Sequence, residues 1–331
     1  MPGERSTITQ LVNWGVEGTA TPGTAVVSNK QMSALNVEVG PSIDFNAFRP
    51  SGHKYSTIVS VGKDWASANI SGQPTYTEIV YPLSSLLGAA TIATPSGGTA
   101  SRSWTFAPST TSADLPNTFT VECGSSVRAS KFSYGLVTGM TIPFDRDNMT
   151  MSGEMIGQFL TDGITMTGTA AAIALVPILP KQLTVYMDGT SGSLGSTTMG
   201  RVISGDITLT GKYAPLWVVN AANTSWVTHV EVEPTATFKL LVEADAEGGA
   251  LLTAARAGTT KFMRLRGVGD VIEAGTITYR FTADVAGKVE AVTPYQDSNG
   301  VYCQEFTFRM VHDSGWGKAL TAEVINALTA L

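Results

Sequence analysis

Apolar and polar residues alternate along most of this chain with a period of two. Trp104 and Phe106 take turns with Ser103 and Thr105, and Phe119, Val121 and Cys123 with Thr118, Thr120 and Glu122. The spacing returns in Leu183/Val185/Met187, Ile207/Leu209, Val230/Val232, Ile277/Tyr279/Phe281 and Phe306/Phe308/Met310. Successive side chains of a strand point to opposite faces, so each stretch predicts a half-buried strand and the fold class is mainly β. Threonine is frequent on the polar faces, where a β-branched residue suits extended backbone and tolerates water. Segments 131–144 and 149–159 flank the turn formers Asp145-Arg146-Asp147-Asn148 and predict one long hairpin.

Helical spacing occurs twice. Thr75 and Glu78 have capping-box spacing, Ile79, Leu83, Leu86 and Leu87 form a stripe, and Gly88 can close the end. Pro82 lies inside this stretch and predicts a kink or a shorter helix. The second helix is predicted over 245–257, ending at Gly258, with Gly248 and Gly249 weakening it. Residues 319–331 fit a helix, or a strand followed by a tail.

Three stretches lack a core pattern. Residues 1–35 are small and polar, residues 91–117 are rich in Ser, Thr, Pro and Gly except around Trp104, and residues 188–200 predict a flexible loop. None of them separates two self-sufficient halves. Residues 1–331 therefore predict a single domain, with 1–35 as an extended N-terminal arm and 91–117 and 188–200 as long loops.

Composition changes this picture in one respect. Of 331 residues 43% are apolar, enough for a sizeable core, yet only 15% are charged; an ordinary globular protein has roughly 25%. So sparsely charged a surface favours coverage by partners, and hence assembly, although a secreted Thr/Ser-rich β-protein has a similar composition. The net charge of −6 argues against a protein that grips phosphates. The start, MPGERSTITQ, has no basic-then-apolar signal pattern. Residues 170–179, the longest apolar run, contain Pro177 and fall well short of the ~20 residues a bilayer requires, so no membrane span is expected. Cys123 and Cys303 suit neither a disulfide framework nor a metal cluster; Cys123 shares a face with Phe119 and Val121 and reads as a buried thiol.

Candidate chemistry is sparse. His229, Glu231 and Glu233 share one strand face, but alternate positions lie about 6–7 Å apart, so a common metal would need long side chains to converge. A solvated acidic face accounts for them more simply. Asp145 and Asp147 could form an acid/base pair, but the turn already explains them. Gly267-Val-Gly269 lacks the third glycine and the helix of a dinucleotide loop, and Gly195-Ser-Thr lacks the lysine of a phosphate loop. No serine stands in a G-x-S-x-G elbow. Lys261, Arg264 and Arg266 have no aromatic interleaving of the kind a nucleic-acid reader uses. The expectation is a protein that is not an enzyme and that uses no cofactor and no metal.

Several segments, taken in order, resemble the major tail tube proteins of long, non-contractile-tailed (siphovirus-type) bacteriophages. They are Glu17-Gly-Thr-Ala20, Gly23-Thr-Ala25, Gly62-Lys63, Ile70-Ser-Gly72 and Tyr76 followed by Leu83-Ser-Ser-Leu-Leu-Gly88. Then come Trp104-Thr-Phe106-Ala-Pro108, Leu115-Pro116-Asn-Thr118-Phe-Thr-Val121, Val137-Thr-Gly-Met-Thr-Ile142, Phe306-Thr-Phe-Arg-Met-Val-His-Asp313 and Val324-Ile-Asn326. The likeness spans most of the chain and consists of turns and alternation rather than one fixed motif. It implies a β-sandwich flanked by a short α-helix, and strands that complete a barrel between subunits. It also implies a virion protein, assembled in the host bacterial cytoplasm, whose copies form stacked, hexameric rings. The tube they build passes DNA without binding it, and meets tape measure and tail-end proteins. Since every lumen-facing cation would add a phosphate contact, the acidic face of His229, Glu231 and Glu233 is the candidate lining. The alternative is a carbohydrate- or surface-binding β-sandwich adhesion module, with Trp14, Trp65, Trp226 and Trp316 as candidate platforms. A β-rich hydrolase ranks third, for want of a catalytic constellation.

Overall fold

The computed structural model describes residues 9–18, 20–125, 127–219, 223–273 and 277–331. The hairpin predicted around Asp145 is its spine. Strands Ala129–Asp145 and Met151–Gly157 run antiparallel, with Val137 opposite Met155 and Thr141 opposite Ser152. Asp145 Oδ1 accepts from the amides of Asp147 (2.8 Å) and Asn148 (2.7 Å), so its carboxylate belongs to the turn.

From this hairpin the first layer spreads both ways. Met151–Gly157 pairs with Ile58–Gly72, which pairs with Leu35–Phe48. On the other flank Ala129–Asp145 is followed by Val202–Thr210, Thr235–Glu243 and Val301–Met310. The second layer runs through Leu183–Asp188, Lys261–Glu273, Ile277–Val292, Leu320–Asn326, Arg102–Phe106 and Thr91–Ala93. Met140, Ile142, Ile207 and Leu209 of one layer and Phe281, Ala283 and Ala322 of the other line a common cavity of about 30 Å³, which places the layers face to face. The protein is a mainly β sandwich. One strand, Ile277–Val292, serves both layers: Arg280 to Val285 pair with the C-terminal strand, and Gly287 to Val292 with Val301–Met310. A smaller third sheet joins Leu11–Val16, Lys30–Met32, Phe119–Gly124 and Thr161–Ile164 to the first half of Ala129–Asp145.

Both predicted helices form. Val80–Leu86 is short, and Pro82 falls in its first turn, where the missing amide breaks no helical bond. Thr75 Oγ1 accepts from Glu78 N at 3.0 Å, as the capping pattern requires. The Glu78 carboxylate does not complete the box; it accepts from the amides of Ser33, Ala34 and Leu35. Ala246–Ala257 is capped by Asp245, which accepts from Glu247 N and Gly248 N, and ends at Gly258 with φ of 61°. Gly248 is required there, because a Cβ would stand 2.6 Å from Glu243 O. The C-terminal segment is a strand, Leu320–Asn326, followed by a tail.

Described parts of the three patternless stretches contribute strands and buried side chains. Residues 1–8 lie outside the described residues, but the rest of the predicted arm supplies two strands and the buried Val12 and Trp14. Segment 91–117 contributes Trp104 and Phe106 to the core. Loop 188–200 is fastened: the Asp188 carboxylate accepts from the amides of Gly195, Ser196 and Thr197, and the chain returns along the edge of Leu183–Asp188. In loop 188–200 these peptide groups find partners within the subunit.

Cys123 and Cys303 are buried, unpaired thiols. Burial pushes the Cys123 thiol up to about 12, with Glu122 adding to the rise. Since the thiolate is the reactive form, the native chain is expected to consume no Ellman's reagent at pH 8 within minutes, and two equivalents once unfolded. Fast reaction of the native chain would refute this.

Candidate functional site

Exposed apolar side chains are densest along the sequence in two places. The first is the end of the hairpin formed by Leu35–Phe48 and Ile58–Gly72. Near its base Val37, Ala66, Ala68 and Ile70 are buried. Beyond a bulge between Ile43 and Phe45 the two strands continue paired to Phe48 and Ile58, but every residue of 43–49 and 51–61 is exposed. Cross-strand register puts Phe45, Ala47, Val59 and Val61 on one face and Phe48 with Ile58 on the other. The arm is thus apolar on both faces, with Phe45 62%, Phe48 61% and Val59 62% exposed. Among the described residues Leu35–Phe48 pairs with Ile58–Gly72 alone, so its outer edge is open. At the tip Gly52 takes φ of 81°, and Arg49 Nη1 donates to His53 O at 3.1 Å.

The second place is the excursion 211–234, in which Tyr213–Leu216 and Thr228–Glu231 pair as a separate two-stranded sheet. Trp226 clips it to the body: the ring is fully buried, Nε1 donates to Gly157 O at 2.8 Å, and the ring meets Tyr134 edge-on at 4.3 Å. Trp217 meets Trp65 at 5.4 Å, beside the base of the arm. Tyr134 stands at a bulge of its strand with φ of 55°, a conformation uncommon for an aromatic residue.

This excursion reverses the orientation expected for 228–233. Val230 and Val232 face outward, 45% and 40% exposed, beside the exposed Val218, Val219 and Val227. His229 lies against the body between the rings of Tyr134 and Tyr213, its Nδ1 3.1 Å from Tyr134 Oη. Burial lowers its pKa, and Glu231 opposes that shift. Glu231 accepts from Asp114 N at 2.6 Å and lies 3.6 Å from Lys212 Nζ; Lys212 forms a 2.5 Å pair with Asp114. The predicted solvated acidic face is therefore turned inward for His229 and Glu231. Only Glu233 is exposed. The three share no centre, and no cluster of three or more His, Cys, Asp or Glu placed to hold a metal occurs among the described residues.

The remaining candidates have packing roles. The amides of Gly195-Ser-Thr already hold the Asp188 carboxylate. Gly267 and Gly269 lie mid-strand, where a Cβ would stand 3.2 Å and 2.9 Å from Tyr76. Arg264 forms a two-pronged pair with Asp284 at 2.6 and 2.7 Å, and Arg266 lies over the Tyr186 ring. Of the four tryptophans considered as platforms, Trp14 and Trp226 are core residues. Trp65 and Trp316 are half-buried against Trp217 and Phe262.

No protein-family model matches the chain, and no curated protein matches it either.

Among the described residues no helix is long and apolar enough to cross a membrane. The arm offers exposed apolar side chains and an open strand edge. The sequence pattern did not single out the arm, although Ile43, Phe45 and Ala47 alternate with Asp44 and Asn46.

Proposed function

We propose that this chain is a structural, non-catalytic protein that assembles with copies of itself, and that its copies form closed rings stacked into a phage tail tube. The observation that carries the self-assembly reading is the arm 43–61. A two-stranded ribbon is marginal in water on its own, and one with phenylalanines and valines exposed on both faces gains most when another chain covers it. Its open edge can add to a neighbour's sheet, and closing a ring removes that edge. The outward valines of the excursion offer a second, different apolar surface. A head-to-tail contact needs two such unlike surfaces and makes a ring when its rotation closes. The tube, its six-fold symmetry, its place in a virion assembled in the bacterial cytoplasm, and its tape measure and tail-end partners rest on the tail tube resemblance. Within this reading His229 and Glu231 serve contacts inside the subunit and do not line the passage for DNA.

Negative-stain microscopy with sedimentation velocity, across protein and salt concentration, tests the reading. Rings or hollow tubes are the expected outcome; particles of 34.7 kDa at every concentration would overturn it.

A further inference from the structure

The tip of the arm carries charge as well as apolar surface. Residues 45–63 include Arg49, His53, Lys54 and Lys63 and contain no Asp or Glu. No salt bridge engages Arg49 or Lys54 among the described residues; Lys54 Nζ lies only over its neighbour's ring, 5.6 Å from the Tyr55 centroid. Cations at the end of an exposed ribbon, flanked by Phe48 and Tyr55, suit a receptor that is acidic at its rim and apolar below.

The subunit has such a receptor. A cavity of about 470 Å³ opens where the excursion meets the C-terminal part of the sandwich. Leu209, Met310 and Leu320 contribute apolar surface to it, and Asp114, Glu231 and Glu233 set its charge against the one ammonium of Lys212. Those three carboxylates and one ammonium leave two negative charges among them. Lys212 already takes up Asp114 and lies near Glu231, and no ion pair engages the exposed Glu233 carboxylate among the described residues. Among the described residues the arm tip is exposed and contributes nothing to the lining of this cavity.

We infer that the arm tip of one copy, through Arg49 and Lys54, docks in this cavity of a neighbouring copy beside Glu233. The inference rests on the self-assembly reading and names the contact within it. Opposite charge selects the partner surface, and the aliphatic stem of a lysine or arginine suits the apolar floor while its head meets the carboxylate. The contact is heterologous, tip to cavity, so each copy gives one and receives one.

A disulfide trap separates this contact from assembly as such. Ser51 at the tip and Thr110 at the rim are exposed, and both native thiols are buried. The double variant Ser51→Cys, Thr110→Cys is assembled and mildly oxidised. A ladder of covalent dimers, trimers and longer chains is expected, and neither single variant should give one. Sedimenting assemblies without a ladder would overturn the docking contact and leave self-assembly standing; absence of assemblies in the unsubstituted protein would overturn both. Charge reversal supplies a second readout. Glu233→Lys should raise the concentration needed for assembly at least about tenfold, and adding Arg49→Glu with Lys54→Glu should restore it. No change on Glu233→Lys, or no recovery on the compensating swap, counts against the contact.

Discussion

Removing residues 44–63 and joining Ile43 to Asp64 through an Asn-Gly turn is expected to abolish assembly while the subunit remains folded. Ile43 and Asp64 are cross-strand partners, so a two-residue turn closes the hairpin in register. Nearly everything removed is solvent-exposed, so the core loses little. In a covered arm, Phe45, Phe48, Tyr55, Ile58, Val59 and Val61 would bury the roughly half or more of each side chain that is now exposed, a gain on the order of 10 kcal/mol per arm. Association costs about 4–15 kcal/mol in lost freedom, so an assembly deprived of that gain should not form at accessible concentrations. Sedimentation velocity should show monomer alone, and calorimetry a melting temperature within about 4 °C of the parent. Tubes from the shortened chain would move the interface elsewhere; an unfolded product would show that the arm supports the subunit itself.

The second large effect concerns a residue with no part in assembly. Glu17, 1% exposed, accepts four hydrogen bonds: from Gly23 N (2.7 Å), Thr118 Oγ1 (2.7 Å), Thr120 Oγ1 (2.8 Å) and Tyr134 N (2.9 Å). It ties the loop after the first strand to the strand Phe119–Gly124 and to the bulge at Tyr134. Each buried donor left without an acceptor costs about 1–3 kcal/mol, although the two hydroxyls can turn to other acceptors. Glu17→Ala is expected to lose about 3–5 kcal/mol of stability, with Glu17→Gln intermediate because it retains one acceptor oxygen. Urea unfolding measures both. A loss under about 1 kcal/mol for the alanine variant would mean that water satisfies the abandoned donors.

Such a residue is hard to find in a sequence. Glutamate is usually a surface residue, and the Thr118 and Tyr134 partners of Glu17 stand 101 and 117 positions away. Many strands were legible because their apolar face is buried: Phe306 and Phe308, or Trp104 and Phe106, alternate as the core requires. Local chemistry was legible too, as at the Asp145 turn and the Asp245 cap, where donor and acceptor are two or three residues apart. Alternation says that two faces differ, but not which one turns inward. Val230 and Val232 carry the apolar pattern outward because Trp226, His229 and Glu231 already fill the space beneath. The arm escaped for the converse reason. Its alternation at Ile43, Phe45 and Ala47 marks a face that nothing in the subunit covers.

The strand Ile277–Val292 has a mechanical consequence. It is bonded to the C-terminal strand in one half and to Val301–Met310 in the other, and Lys261–Glu273 runs along its opposite side. Sliding one layer of the sandwich over the other would shear those ladders of hydrogen bonds together, since both end on one continuous stretch of backbone. The shared strand works as a tie between two plates, and a load applied to either layer is carried into the other before the apolar faces begin to separate.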